Sequence, residues 1–173
     1  MRRLLLAALL LPAFPAARAQ DEEAPALQRY LISLQLGDGI EDVRRIYPPA
    51  QEWPTLLDPR GVTRYKVERD WTKFFPKKVQ TFHVGFKKGR LVEIQVVYDE
   101  KFSKSKTYEQ LAAEFALIYG EPHRSGDRFW WSDSNTVLRV FPAELSVLRD
   151  GEKVVEWRTS VQVYEKSVFK SLD

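Results

Sequence analysis

Apolar and polar residues alternate most cleanly over residues 79–100, VQTFHVGFKKGRLVEIQVVYDE. Lys87-Lys88-Gly89 separates two runs rich in β-branched and aromatic residues, the pattern of a β-hairpin. A two-residue turn at Lys88-Gly89 sets Val84 opposite Glu93 and Phe82 opposite Gln95, mixing apolar and polar residues on one face. A three-residue loop with Gly89 in the left-handed conformation instead pairs Phe86 with Arg90, Val84 with Val92 and Phe82 with Ile94. Because a one-residue slip turns every side chain over, the pattern selects the three-residue loop. The expected core face is Phe82, Val84, Phe86, Val92, Ile94, Val96 and Tyr98. Thr81, His83, Glu93 and Gln95 fall on the other face, which implies a sheet with one solvated side.

The same reading extends along the chain. Residues 20–30 have the composition of a flexible polar linker, followed by a short apolar run from Tyr30 to Leu36. Asp38 with Glu41 three residues on reads as a capping box, and Ile40, Val43, Ile46 and Tyr47 share a helical face until Pro48-Pro49 stops it. Residues 48–61 read as a loop, Val62 to Arg69 as an edge strand, and Asp70 to Lys78 as a second loop. Thr107 with Gln110 starts another helix, whose expected buried face is Tyr108, Leu111, Phe115, Ile118 and Tyr119 and whose stop is Gly120. Strands are expected over Arg128–Ser132, Thr136–Phe141, Glu144–Arg149 and Val154–Tyr164, with Asp150-Gly151 as a hairpin turn. The pairs Ile46-Tyr47 and Ile118-Tyr119 end the two helices 72 residues apart. An internal duplication accounts for this economically. The expected fold is α+β: two half-repeats, about 31–103 and 104–173, each a capped helix followed by three or four antiparallel strands. Together they form one continuous curved sheet with helices on one face, within a single domain over 31–173.

The N-terminus changes the charge picture. Arg2-Arg3, the apolar run Leu4–Leu11 and Ala17-Arg18-Ala19 have the order of a signal peptide over residues 1–19. Its apolar run is far short of the roughly 20 residues that span a bilayer. Cleavage after Ala19 removes three of the 27 basic residues and none of the 24 acidic ones, so the chain from Gln20 onward is neutral rather than +3. That removes the main argument for nucleic-acid binding. The charges are segregated nonetheless: residues 60–90 carry 10 basic and 2 acidic groups, against 3 and 8 over residues 20–59 and 11 and 14 over residues 91–173. With no cysteine in the chain, neither a disulfide framework nor a cysteine-borne lipid is available. The expected product is a periplasmic or secreted protein, soluble after cleavage.

Leu36-Gly37-Asp38-Gly39-Ile40-Glu41-Asp42-Val43, ending in Ile46-Tyr47-Pro48-Pro49, resembles the glycine-start helix motif of small outer-membrane assembly lipoproteins of the BamE/SmpA type. Tandem copies of such a unit also resemble the β-lactamase-inhibitor-protein-like fold, in which two helix-plus-sheet halves form one curved sheet. The chain departs from both in having no cysteine, hence neither the lipid anchor of the first nor the disulfides of the second. The resemblance implies a non-enzymatic, exported, protein-binding module of the cell envelope.

Two groups of residues are candidate contacts. Trp71, Phe74, Phe75, Lys77 and Lys78 interleave aromatics and cations in an expected loop, a composition suited to an acidic protein or to membrane headgroups. The alternative is that Phe74 and Phe75 tuck under the sheet. Trp130 and Trp131 must point to opposite faces; because Phe129 and Trp131 share one, Trp130 is the candidate contact unless it packs against a loop or the C-terminal segment. His83 opposite Glu93 reads as a surface pair. Two histidines without cysteine or a carboxylate cluster make no metal site, and no cofactor is expected. Ser103-Lys104-Ser105-Lys106 matches S-x-x-K without its companion motifs, and Ser132-Asp133-Ser134-Asn135 reads as a turn. The expected function is therefore a non-enzymatic interaction module with a protein partner in the cell envelope, using a sheet face and loops. The alternatives are a small enzyme whose site assembles only in three dimensions, and a peripheral binder of anionic membranes through the Trp71–Lys78 loop.

Overall fold

The computed structural model describes residues 25–169, so the expected signal peptide and its cleavage site lie outside the described residues. Among the described residues, ten strands and three α-helices follow in chain order: β1 (Tyr30–Leu31), β2 (Leu34–Gln35), α1 (Ile40–Ile46), β3 (Thr55–Leu57), β4 (Thr63–Glu68), β5 (Val79–Lys87), β6 (Arg90–Tyr98), α2 (Glu100–Ser105), α3 (Tyr108–Tyr119), β7 (His123–Ser125), β8 (Arg128–Ser132), β9 (Thr136–Arg149) and β10 (Glu152–Glu165). A short 3-10 turn occupies Arg69–Trp71. Strands β3 to β10 form one antiparallel eight-stranded sheet in the order β3-β4-β5-β6-β10-β9-β8-β7; β1 and β2 form a separate hairpin. Each half of the chain thus supplies a four-strand meander, and the meanders meet through their last strands, β6 and β10.

The central hairpin is built differently from expectation. Lys87 pairs with Arg90 across a two-residue turn, and Lys88 and Gly89 both have positive φ, as the primed turns require. The register is corrected further up the strands, by a bulge that sets Gly85 opposite Glu93 and Phe86 opposite Leu91. Val84 then faces Ile94, Phe82 faces Val96 and His83 faces Gln95, not Glu93. The expected faces survive except at Val92, the extra residue of the bulge. It leaves the main core and packs with Val62, Val137, Tyr164 and Phe169 on the opposite face.

The main core lies on one side of the sheet. Phe82, Val84, Ile94, Val96, Leu138, Val140, Val161 and Val163 form its sheet layer, covered by Val43 of α1 and Tyr47 at its C-terminal end, Leu111 and Ala112 of α3, and Leu27, Leu31, Leu34 and Leu36 of the N-terminal segment. The polar linker therefore ends earlier than residue 30: Leu27 is buried, its N–H donates to Asp133, and Arg29 bonds Thr136 and Glu165. Asp133 also accepts from the N–H groups of Asn135 and Thr136, confirming the turn at residues 132–135.

Both helix starts are capped, one of them a residue away from expectation. Gly39 caps α1, with Asp42 accepting from its N–H at 3.1 Å, while Asp38 binds the N–H of Gln35. Thr107 and Gln110 form the expected reciprocal cap of α3. On α3 Ile118 points to solvent, and Ala112 takes its place in the core. The sheet edge is β3, inside the expected 48–61 loop, so β4 is an inner strand. Residues 136–149 are one strand rather than two: Pro142 falls beyond β8, where β9 is a sheet edge and tolerates a residue without an N–H. The helix α2 and strand β7 were not anticipated.

Candidate binding cleft

Opposite the helices, the sheet presents a polar face whose order follows from strand pairing. Lys66, His83, Gln95, Gln162, Arg139, Trp130 and His123 are successive cross-strand partners on β4, β5, β6, β10, β9, β8 and β7. They make one transverse row running across the joint between the two meanders. A cleft of about 600 Å³ opens over the part of this row from Lys66 to Arg139. Its walls come from Pro54, Thr55 and Leu56 at the β3 edge, Arg60 and Arg64 beside them, and Arg128 and Phe141 on the far side.

Buried carboxylates hold the arginines of the near wall. Glu93, only 3% exposed, accepts from Arg64 Nε at 2.6 Å and Nη2 at 3.1 Å, and from the Gln162 amide at 2.6 Å. Asp58, 6% exposed, accepts from the Arg60 backbone N–H and guanidinium and lies 3.5 Å from Arg64. Hydrogen bonding by Arg60 holds the Asp58 carboxyl below the usual aspartate range, against the opposing effect of burial. Gly85 makes room for this network, since a Cβ there would meet Glu93 Oε2 at 2.8 Å. On the outer side of the arginines, the Phe169 ring lies under the guanidinium groups of Arg60 (4.9 Å) and Arg64 (5.7 Å).

The middle of the row, His83, Gln95 and Gln162, is uncharged at neutral pH. Burial pushes His83 down from 6.5 to about 4, and the nearby charges of Lys66 and Arg64 act in the same direction. Its Nδ1 is buried without a hydrogen-bond partner. Gln95 donates to Ser160 at 3.3 Å and Gln162 to Glu93; neither amide oxygen accepts a hydrogen bond among the described residues. Among the described residues, five cationic side chains line the cleft together with the carboxylate of Glu93. With the flanking Asp58 and Glu68, the described residues there carry five cationic and three carboxylate side chains. Among the described residues no group of three or more His, Asp or Glu side chains lies together as metal ligands.

The six expected contact residues do not converge. Trp71 and Phe75 are half-buried and pack on the main core, Phe75 against Phe82 with ring centroids 5.6 Å apart, on the helix side of the sheet. Phe74 alone among the loop aromatics stands in solvent, 67% exposed. Lys77 and Lys78 are exposed, with the Lys78 ammonium 5.7 Å above the Phe102 ring. Trp130 lies on the polar face as expected, half-buried, stacked on His123 at 5.5 Å and packed against the small cluster that contains Phe169. The sequence reading missed Arg60, Arg64, Lys66, Glu93, Gln162 and Arg128. Its available signals were the excess of basic residues over 60–90 and the isolated glycine inside the 79–87 strand, which marks a close approach of another group.

No protein-family model, curated protein or solved structure matches this chain.

Proposed function

We infer that the protein is an exported, non-enzymatic binding module of the cell envelope, with the polar sheet face as its binding surface and an acidic protein as its partner. The carrying observation is the cation-rich cleft on the one sheet face that no helix covers. Pre-positioned arginines with buried carboxylate supports suit recognition, because little side-chain freedom is left to lose on binding. Acid–base catalysis is the weaker use of the same residues. A histidine pushed down to about 4 is a poor base near neutral pH, and the Glu93 carboxylate in the cleft is already engaged by Arg64 and Gln162. Export rests on the order of charged, apolar and small residues at the N-terminus. The two-meander topology is in keeping with duplication of a helix-plus-sheet unit and with the BamE/SmpA-type resemblance.

Affinity capture from envelope extract tests the reading. The protein is compared with a Lys66→Glu/Arg128→Glu variant and a Phe74→Ala variant, each checked for folding. A stoichiometric protein retained by Phe74→Ala and lost on charge reversal is the expected result. A partner unaffected by charge reversal would place the surface elsewhere. Exposed Phe74 beside Lys73, Lys77 and Lys78 supports a second contact, with anionic membrane; sedimentation with anionic vesicles, lost in Phe74→Ala, is its test.

A further inference from the structure

Resting on the reading of the polar face as the binding surface, we propose that the cleft takes an extended acidic peptide segment, laid across the strands with one carboxylate side chain at each end and neutral residues between. The transverse row sets this chemistry. Lys66 stands at the β4 end with Arg60 and Arg64 beside it, while Arg139 and Arg128 stand at the β9–β8 end. Between them His83, Gln95 and Gln162 carry no charge at neutral pH and offer hydrogen bonds. A ligand with evenly spread negative charge would leave the middle of the row poorly matched, and a single compact anion would engage one end only. Lys66 on β4 and Arg139 on β9 are four strand spacings apart, about 19 Å between backbones at ~4.8 Å per strand. An extended chain covers that span in about six steps of ~3.3 Å, so carboxylates on residues i and i+6 reach both ends and point to the same face.

The two ends differ in how firmly they are built. Arg64 is fixed by Glu93 and Asp58 and cannot be altered without disturbing the sheet. Lys66 has only an exposed pair with Glu68, and Arg128 has no ion pair among the described residues. Screened surface pairing is weak, so both can turn to a carboxylate. They are the residues to vary.

The test measures fluorescence anisotropy of the purified protein with a labelled heptapeptide that has glutamate at each end and glutamine between. Companion peptides carry one terminal glutamate or none, and pyrophosphate is the competitor for a phosphate ligand. The expected result is tightest binding by the two-glutamate peptide, about tenfold weaker binding for each glutamate removed, and a loss of about three- to tenfold in Lys66→Gln and in Arg128→Gln. Binding should fall as salt rises from 50 to 300 mM. Equal binding of the all-glutamine peptide overturns the proposal, as does tight pyrophosphate binding without peptide binding. If no peptide binds while charge reversal still abolishes partner capture, the acidic-segment proposal fails and the binding-face reading stands. If capture also survives charge reversal, both fail.

Discussion

A methyl group added at position 85 would lie 2.8 Å from Glu93 Oε2 and 3.0 Å from Val62, so Gly85 is a matter of space rather than of backbone conformation. Gly85→Ala should cost about 1–3 kcal/mol in chemical denaturation, the range for overpacking a filled site. Glu93→Gln keeps the shape but strips Arg64 of its bidentate partner. Because Arg64 is partly exposed, about 2–3 kcal/mol is expected rather than the larger cost of a wholly buried break. His83 gives a pH signature. The unfolded chain takes up a proton near 6.5 and the folded protein only near 4, because burial, then Lys66 and Arg64, oppose the charge while Glu68 slightly favours it. The unfolded state thus binds more protons between those values, and His83 contributes stability above 6.5 that is lost progressively as pH falls to about 4. His83→Gln should flatten this, so the variant-minus-native difference in unfolding free energy should change by about 2 kcal/mol between pH 7 and pH 4.5. An unchanged difference would place His83 in water. None of these three roles was legible from neighbouring residues: Gly85, Glu93 and His83 looked like ordinary positions of a half-wet hairpin, with His83 and Glu93 facing each other.

Elements with local signals were readable, and those without were not. The Thr107/Gln110 cap, the Asp150-Gly151 turn and the Arg128–Ser132 strand are dictated by residues within a few positions of one another. Thr107→Ala should accordingly cost about 1 kcal/mol, read as a lower thermal midpoint with fold and cleft intact. Strands β3 and β7 have three residues each and no alternation to reveal them; they exist because β4 and β8 supply a partner edge. The hairpin register was missed for a related reason. Gly89 serves either a two- or a three-residue turn, and the bulge at Val92 is favoured by apolar contacts with Val62, Val137 and Tyr164, residues distant in sequence. Trp71 and Phe75 had the composition of a contact loop, yet the edge of the core took them, leaving Phe74 outside.

At the scale of the molecule, the site depends on a joint no local pattern announces. The polar row exists because β10 returns from the far end of the second meander to pair with β6, bringing Gln162 beside Gln95 and linking Lys66 to Arg139. Sequence reading reached the α+β class, the antiparallel sheet and a polar sheet face. It could not say which charges from residues 58–166 would share that face, since the order of strands decides it. The central claim, that this face binds the partner, is tested most directly by photocrosslinking in the cell. A photoreactive amino acid is placed at Gln95 on the polar face, at Phe74 in the loop, and at Ile118 on the solvent side of α3. The account predicts a discrete protein adduct from position 95 that disappears on Lys66→Glu/Arg128→Glu reversal, and no such adduct from position 118. An adduct formed from 74 or 118 but not from 95 would contradict it.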